Sequence, residues 1–226
     1  MAYVIQHRGK TPTGGRAWRA VAMTACLLCG AASLGAAELL DRVLAVVSGT
    51  VITLSDARTA IAFGEVDTTG ARDPIATAMR WLVDRQLAIE EVDRYGTNEV
   101  DEARVADGLA AITLRFGSAQ AFAAALPRLG LDQTGARSWI RDSLRVAQYL
   151  ARRFDAMFSA TDEELREYFA RHASQFARSG AAPAFDGVVE EVRTALQQDR
   201  RTLAVEAWLS RLRRRADVIE IYVPVR

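Results

Sequence analysis

Histidine and cysteine, the residues most often used for metal binding and nucleophilic catalysis, are scarce in this chain of 226 residues. The cysteines are Cys26 and Cys29, and the histidines are His7 and His172. A Ser-His-Asp triad in the C-terminal half would have to use His172. This residue falls at the predicted exposed end of a helix, so we interpret it as a solvated helix residue without a catalytic role.

Paired acidic residues offer no better catalytic site. Glu90-Glu91 and Glu190-Glu191 are neighbours on predicted helices, where adjacent side chains point about 100° apart, so neither pair forms a dyad. The basic run Arg211-Leu212-Arg213-Arg214-Arg215 complements a helix C-terminus, with a phosphate or lipid-headgroup site as the alternative. The sequence lacks a Walker loop, a dinucleotide-binding glycine pattern, a zincin motif and a nucleophile elbow. We therefore predict no catalytic residue, no cofactor and a protein that is not an enzyme.

The first 37 residues show the order of features that is typical of a secretory signal peptide. They include four positive residues, Arg8, Lys10, Arg16 and Arg19. An uncharged apolar run follows over 20–34, and Gly35-Ala36-Ala37 supplies the small residues that signal peptidase requires. We predict cleavage near Ala37 and export to a periplasm. A retained membrane anchor and a lipoprotein acylated at Cys26 are the alternatives.

Cleavage would narrow the chemistry open to the rest of the chain. It removes both cysteines, His7 and the single lysine, Lys10. Disulfides, thiolate catalysis and multi-histidine metal sites are then excluded, so we predict no metal. The 25 arginines that remain face 28 acidic residues, a net charge of −3. This balance argues against nucleic acid as a partner.

Strand patterns occur at the two ends of the exported chain. Val43–Val47 and residues 51–54 are β-rich runs joined by Ser48-Gly49-Thr50, which predicts a hairpin. Residues 218–223 form a further strand pattern. Because an isolated two-stranded hairpin is marginally stable in water, we expect the C-terminal strand to join it in a three-stranded sheet.

Helical periodicity fills the chain between these strands. Ser55 is the predicted cap of a short helix that starts at Asp56, and Asp73-Pro74 starts a long helix that ends at Tyr95-Gly96. Thr161 and Glu164 form a predicted capping box. Further helices are predicted over about 100–116, 119–129, 132–158 and 186–214, with a break over 176–184. The sequence therefore predicts a mainly α protein with a small β-sheet.

Five apolar residues beside two glycine breaks, Gly117 and Gly130, are the candidate residues for contact with a protein ligand. They are Leu114, Phe116, Phe122, Leu126 and Leu129. Packing in a core is the simpler interpretation of this group. An adaptable peptide-binding surface is the other, because flexible apolar surfaces accept varied partners.

The order of these segments resembles that of the SurA-type periplasmic chaperones of the parvulin foldase family. The run from Asp41 to Asp56 is similar to the family's opening, in which a hairpin (VAVVNG…I…SD) leads directly into a helix. Residues 81–91 (WLVDRQLAIEE) match its next helix, and residues 100–102 and 139–141 fit its continuation. Residues 161–169 resemble the T-D-E-E-[ILV]-x-x-Y segment that usually precedes a parvulin domain. The runs 185–191, 208–213 and 218–221 look like its closing helix and last strand.

The resemblance implies a helical core like the SurA N-terminal domain, with the N-terminal hairpin joined by the C-terminal strand. It divides the chain into a signal peptide (1–37), a hairpin and helical core (38–176), a short connector (177–184) and a C-terminal helix and strand (185–226). Family members commonly carry one or two parvulin isomerase domains at the connector. Such a domain needs on the order of 100 residues, so we predict that it is absent here.

The function implied by the resemblance is that of a periplasmic, ATP-independent chaperone. It would hold unfolded outer-membrane or secreted proteins through apolar and aromatic contacts, as a monomer or a homodimer. A dedicated envelope assembly partner that binds one protein is an alternative. A peptidyl-prolyl isomerase is a further one, although the single histidine and the loss of both cysteines argue against it.

Overall fold

The computed structural model describes residues 41–95, 99–154, 159–177 and 184–224. The predicted signal peptide lies outside these ranges, and so do residues 178–183 of the predicted connector. Within the described ranges the chain forms seven α-helices and one three-stranded antiparallel sheet. The predicted mainly α fold with a small sheet is therefore confirmed.

The sheet joins the two ends of the described chain. Its central strand β1 (Val43–Val47) pairs antiparallel with β2 (Thr50–Thr53) on one side and with β3 (Val218–Glu220) on the other. Ser48 and Gly49 connect β1 to β2 with φ values of 48° and 90°. Positive φ at both positions is the geometry that a two-residue hairpin favours, because its twist matches that of the strands. The predicted closure of the sheet by the C-terminal strand is confirmed.

The last strand is shorter than predicted. It ends at Glu220, the partner of Ala45 in β1, and not at residue 223. At that point the backbone N–H groups of Ile221 and Tyr222 both donate to the carbonyl oxygen of Leu44. The regular ladder of strand pairs therefore stops there.

The first helix, α1 (Leu54–Phe63), begins earlier than predicted, and its cap is Thr53. The Thr53 hydroxyl accepts from the backbone N–H of Asp56, and the Asp56 carboxylate accepts from the backbone N–H of Thr53. This reciprocal pair is a capping box with Asp at the third helical position. Ser55, the predicted cap, instead donates its hydroxyl to the Asp41 carboxylate.

The other helix starts follow the capping signals closely. Asp73, which precedes Pro74, accepts a hydrogen bond through Oδ1 from the backbone N–H of Ala76. Thr161 forms the predicted capping box with Glu164. The last helix starts at Val189 because Phe185–Gly187 is a separate 3-10 turn. The helices that follow α1 are α2 (Pro74–Tyr95), α3 (Glu102–Arg115), α4 (Ala119–Ala125), α5 (Gln133–Phe154), α6 (Asp162–His172) and α7 (Val189–Arg215).

Two groups of buried side chains lie along α7. We call the larger one the main core; it takes residues from β1, β2, α1, α2, α5 and the C-terminal part of α7, including Leu44, Met79, Tyr149, Trp208 and Leu212. We call the smaller one the distal cluster; it consists of Leu165, Tyr168, Phe176, Val188, Val192 and Leu196. With 27 residues, α7 is about 40 Å long, which is enough to serve both groups.

No single helix in the described ranges is long and apolar enough to cross a membrane. The bent pair formed by α3 and Ala119–Leu129 meets the criteria of length and composition together. The same ranges contain no group of three or more His, Cys, Asp or Glu side chains placed to hold a metal ion.

Candidate functional site

Four of the five predicted contact residues pack together in an aromatic cluster at the end of α1. Phe122 and Leu126 are buried there, with the Phe63 and Phe122 ring centroids 6.1 Å apart. Phe116 and Leu129 are partly buried against them. The geometry fits a core that holds α1 against α3, α4 and α5.

Leu114 is the exception, with 80% of its surface exposed. It is therefore the predicted contact residue most accessible to a protein ligand in this conformation. Buried Phe122 and Leu126 would need a local rearrangement to make such a contact. The assignment of all five as contact residues stays a prediction.

His172, the histidine beyond the predicted signal peptide, packs on its own helix. Its ring stacks on the Tyr168 ring with centroids 4.2 Å apart. Its Nδ1 lies 2.9 Å from the carbonyl oxygen of Tyr168, four residues earlier in α6. One ring nitrogen is thus engaged locally, and the ring is half-buried rather than freely solvated as predicted.

An open recess lies between α2, α5 and α7, and we call it the three-helix groove. It was not predicted from the sequence. Its volume is about 310 Å³, and its lining is mainly apolar. The apolar lining is Trp81, Ala88, Val146, Ala147, Leu150, Val205, Trp208 and Leu209, and the polar lining is Glu65, Asp84, Arg85 and Ser143. An apolar recess with a few polar groups is the usual form of a ligand-binding cleft.

One charged residue of the groove, Arg85, is held by neighbours on α5. Its Nη2 donates to the carbonyl oxygen of Trp139 at 2.9 Å, and its guanidinium lies 4.4 Å from the centre of the Trp139 ring. Burial lowers the pKa of Arg85, and the charges of Asp142, Glu65 and Asp56 oppose this shift. An arginine remains charged despite such a shift, so the groove has a fixed cation in its wall.

The second charged residue, Asp84, is paired with α7. Arg213 Nε lies 2.6 Å from Asp84 Oδ1. Burial nevertheless raises the pKa of Asp84, because desolvation outweighs the attraction of Arg213. This ion pair ties α2 to α7 at the edge of the groove.

Two buried donors in the groove wall lack an acceptor. Within the described residues, Arg85 Nε and Trp208 Nε1 have no hydrogen-bond partner. Buried donors without partners are costly, because each has lost its bond to water. Neither nitrogen is exposed at the groove surface, so a ligand in the groove would reach them only after a movement of the wall.

The outer face of the sheet is a second apolar surface. Val46 pairs with Val51 on one side and with Ile219 on the other, which places three β-branched residues in one row across the strands. Val51 and Ile219 are each about half exposed, as is the nearby Ile221. This surface is flat, whereas the three-helix groove is concave.

No protein-family model matches this chain, and no curated protein matches it in sequence. A solved structure does match, from work on the virulence factor PEB4 and the periplasmic protein Cj1289, two structurally related SurA-like chaperones of Campylobacter jejuni. The TM-score is 0.50 at 12% sequence identity, and the match covers 80% of this chain and 100% of that one. At this identity the likeness shows the fold alone. The chain has a SurA-like fold, as the order of its segments predicted.

Proposed function

We propose that this protein is a periplasmic, ATP-independent chaperone that holds unfolded outer-membrane or secreted proteins. The observation that carries the proposal is the three-helix groove, which combines a mainly apolar lining with a few polar side chains. Apolar side chains of an unfolded segment would occupy the groove and pack against its aliphatic and aromatic lining. Such contacts depend little on sequence, which suits varied clients.

The SurA-like fold supports the same proposal, together with the order of segments along the chain. We propose that residues 1–37 are a cleaved signal peptide, that residues 38–176 form the hairpin and helical core, and that the helix and strand of residues 185–226 complete it. We further propose that the connector 177–184 replaces a parvulin domain, because it is far shorter than the roughly 100 residues that such a domain needs. On this view the protein holds clients and does not isomerise them.

The groove is tested by filling it. Ala147 lines it, so Ala147→Trp would occupy its volume without removing any buried side chain. Ala106→Trp is the matched control, because Ala106 is exposed on α3 outside the groove. Both variants should keep the helical circular dichroism spectrum of the wild type.

We expect the purified mature protein to suppress aggregation of several unrelated unfolded proteins, and Ala147→Trp to lose most of that activity. Ala106→Trp should retain it. Equal activity of all three proteins would reject the groove as the binding site. Failure of the wild type to protect any unrelated client would reject the chaperone function itself.

A dedicated assembly partner is the alternative that the same fold permits. Crosslinking in the cell envelope, followed by identification of the attached proteins, separates the two: a chaperone yields a spread of clients, and a dedicated partner yields one protein in fixed ratio. Catalysis in a proline-peptide isomerisation assay by the mature protein would instead favour an isomerase.

A further inference from the structure

Arginines gather where the C-terminal ends of three helices meet. Arg94 lies in the last turn of α2, Arg152 and Arg153 in that of α5, and Arg213–Arg215 in that of α7. A recess of about 300 Å³ at this place is lined by Glu91, Arg153, Trp208, Arg211, Arg214 and Arg215, and we call it the arginine recess. A smaller recess of about 180 Å³ adjoins it, because Glu91 and Arg215 line both.

Most of these arginines have no acidic partner. Glu91 is buried and lies 3.6 Å from Arg94. In the described part of the chain, the remaining members of the group form no ion pair; these are Arg152, Arg153, Arg211, Arg214 and Arg215. Arginines elsewhere are of both kinds, since Arg141 pairs with Glu102, whereas Arg104 and Arg128 form no ion pair among the described residues. What distinguishes the recess is that five arginines without an acidic partner in the described ranges lie around one place.

The negative ends of the helix dipoles account for some of the arginines around the recess, but not for all of them. Each helix C-terminus carries about half a negative charge, so three ends together carry roughly 1.5. The carboxylates of Glu90 and Glu91, which line the smaller recess, contribute two more negative charges. Arg94 and the five unpaired arginines outnumber this total by roughly two to three charges. An anion of about that charge would balance the recess.

Aromatic side chains give the recess a firm wall. Trp208 is 2% exposed, and its ring lies 5.9 Å from that of Tyr149 and 6.1 Å from that of Phe154. Arg153 Nη1 donates to the Tyr149 hydroxyl at 3.2 Å, and its guanidinium lies 5.7 Å from the centre of the Phe154 ring. Arg153 is therefore held in place before any ligand arrives, which reduces the entropic cost of binding.

We propose that the arginine recess binds a phosphate group, either free in solution or as the headgroup of an anionic phospholipid. Guanidinium groups bind phosphate oxygens in pairs, and several of them can share one phosphate. A single carboxylate is satisfied by one arginine, so it would leave most of the recess uncompensated. The arginine recess shares Trp208 with the three-helix groove, but its arginines do not line the groove, so failure of this proposal would leave the chaperone proposal intact.

The test compares two double variants of equal charge. Arg211→Gln/Arg214→Gln removes two cations from the recess. Arg104→Gln/Arg128→Gln removes two exposed arginines that lie elsewhere and also form no ion pair among the described residues. Arg211→Lys/Arg214→Lys keeps the charge, loses the paired donors, and replaces the glutamine variant if that one does not fold.

Calorimetric titration with inorganic phosphate and with pyrophosphate measures the free ligand, and co-sedimentation with phosphatidylglycerol vesicles measures the headgroup. Vesicles of phosphatidylcholine alone are the lipid control, and all measurements use about 0.15 M salt to screen weak surface attraction. We expect the recess variant to bind at least tenfold more weakly than the wild type to one of these probes. The control variant should bind within twofold of the wild type.

Binding of phosphate or pyrophosphate without vesicle binding would assign the free ligand, and the reverse would assign the headgroup. Equal losses in the recess and control variants would overturn the proposal, because net charge alone would then explain binding. No binding of the wild type to any probe would overturn it too. Tighter binding of polyglutamate or of single-stranded DNA than of both phosphate probes and the vesicles would assign the recess to a polyanion instead.

Discussion

The main core and the distal cluster lie along the same helix, yet they are built from different parts of the chain. The main core unites β1 near residue 43 with Trp208 and Leu212 on α7. All six residues of the distal cluster lie between Leu165 and Leu196. Between the two along α7 lies Leu203, which is 65% exposed, so the apolar face of the helix is interrupted there.

We infer that α7 belongs to two units of unequal stability. A cluster of six buried residues is too small to fold alone, and the distal cluster therefore depends on α7 being held by the main core. Local structures with few buried contacts open at a lower free energy than the whole molecule. We expect the distal cluster to open while the main core stays folded.

The largest effect is expected from Trp208→Ala. Trp208 is buried in the main core, where its ring packs against those of Tyr149 and Phe154. Its truncation leaves a cavity there, so we expect the free energy of unfolding to fall by about 3–5 kcal/mol. Urea denaturation measures the change. Leu203→Ala, on the exposed face of the same helix, is the control and should change stability by less than about 0.5 kcal/mol. An unchanged midpoint for Trp208→Ala would contradict the assignment of this residue to the main core.

A smaller global effect is expected from Leu165→Ala, although Leu165 is fully buried. The substitution should lower the free energy of opening the distal cluster by about 2–5 kcal/mol, and it should lower the free energy of global unfolding by less. Amide hydrogen exchange should therefore lose protection in α6 while α2 and α5 keep theirs. Equal loss of protection in α2 would show instead that the two regions unfold as one unit.

The two capping boxes allow a matched comparison. Thr53 caps α1 in the main core, and Thr161 caps α6 in the distal cluster. Alanine at either position should cost about 1 kcal/mol, because the same hydroxyl contact is lost. Thr53→Ala should shift the global urea midpoint, whereas Thr161→Ala should change hydrogen exchange in α6 alone. If the two variants lowered the urea midpoint equally, the main core and the distal cluster would unfold as one unit.

The smallest effect concerns pH. Burial, together with the hydrogen bond that the Tyr168 hydroxyl donates to Asp199 Oδ2 at 2.7 Å, raises the pKa of Tyr168 to about 12. The folded state thus favours the neutral phenol, and its contribution to stability is complete below pH 10, the ordinary pKa. It is lost as the pH rises from about 10 to 12.

Near-UV circular dichroism should therefore show the distal cluster loosening over this pH range. Tyr168→Phe, which cannot ionise, should reduce that change. If both proteins titrate alike, then the hydrogen bond to Asp199 does not govern the alkaline stability of the cluster.

Local signals made much of this fold predictable. Asp73-Pro74 and Thr161 with Glu164 define helix starts through contacts within four residues, and the structure has both. The helix start near Ser55 was wrong because Thr53 and Ser55 both carry hydroxyls, and the choice depends on Asp56 and on distant Asp41. The three-stranded sheet was predictable because a lone hairpin needs a partner and one further strand pattern was present.

The groove was not predictable, and of the arginine recess only the run 211–215 was, as an alternative phosphate or lipid-headgroup site. Val146 and Trp208 have the spacing of ordinary core residues, and nothing local shows that their helices diverge enough to leave a gap. Arg94, Arg153 and Arg214 each have the position of a cation at a helix end. Only tertiary packing brings the three ends together. The predicted contact residues had a weaker basis, since a position beside a glycine does not distinguish a surface from a core.

The pairing of β1 with β3 sets the order in which the molecule can be completed. Val47 and Val218 are partners in the sheet, although roughly 170 positions separate them in the chain. A ribosome adds about 5–20 residues per second, so β3 is synthesised roughly 10–30 s after the hairpin. During that time Trp208 and Leu212 are also missing from the main core. The main core is therefore incomplete until the C-terminal residues are synthesised. An incompletely folded chain can pass through a membrane pore without first being unfolded, which agrees with the proposed export.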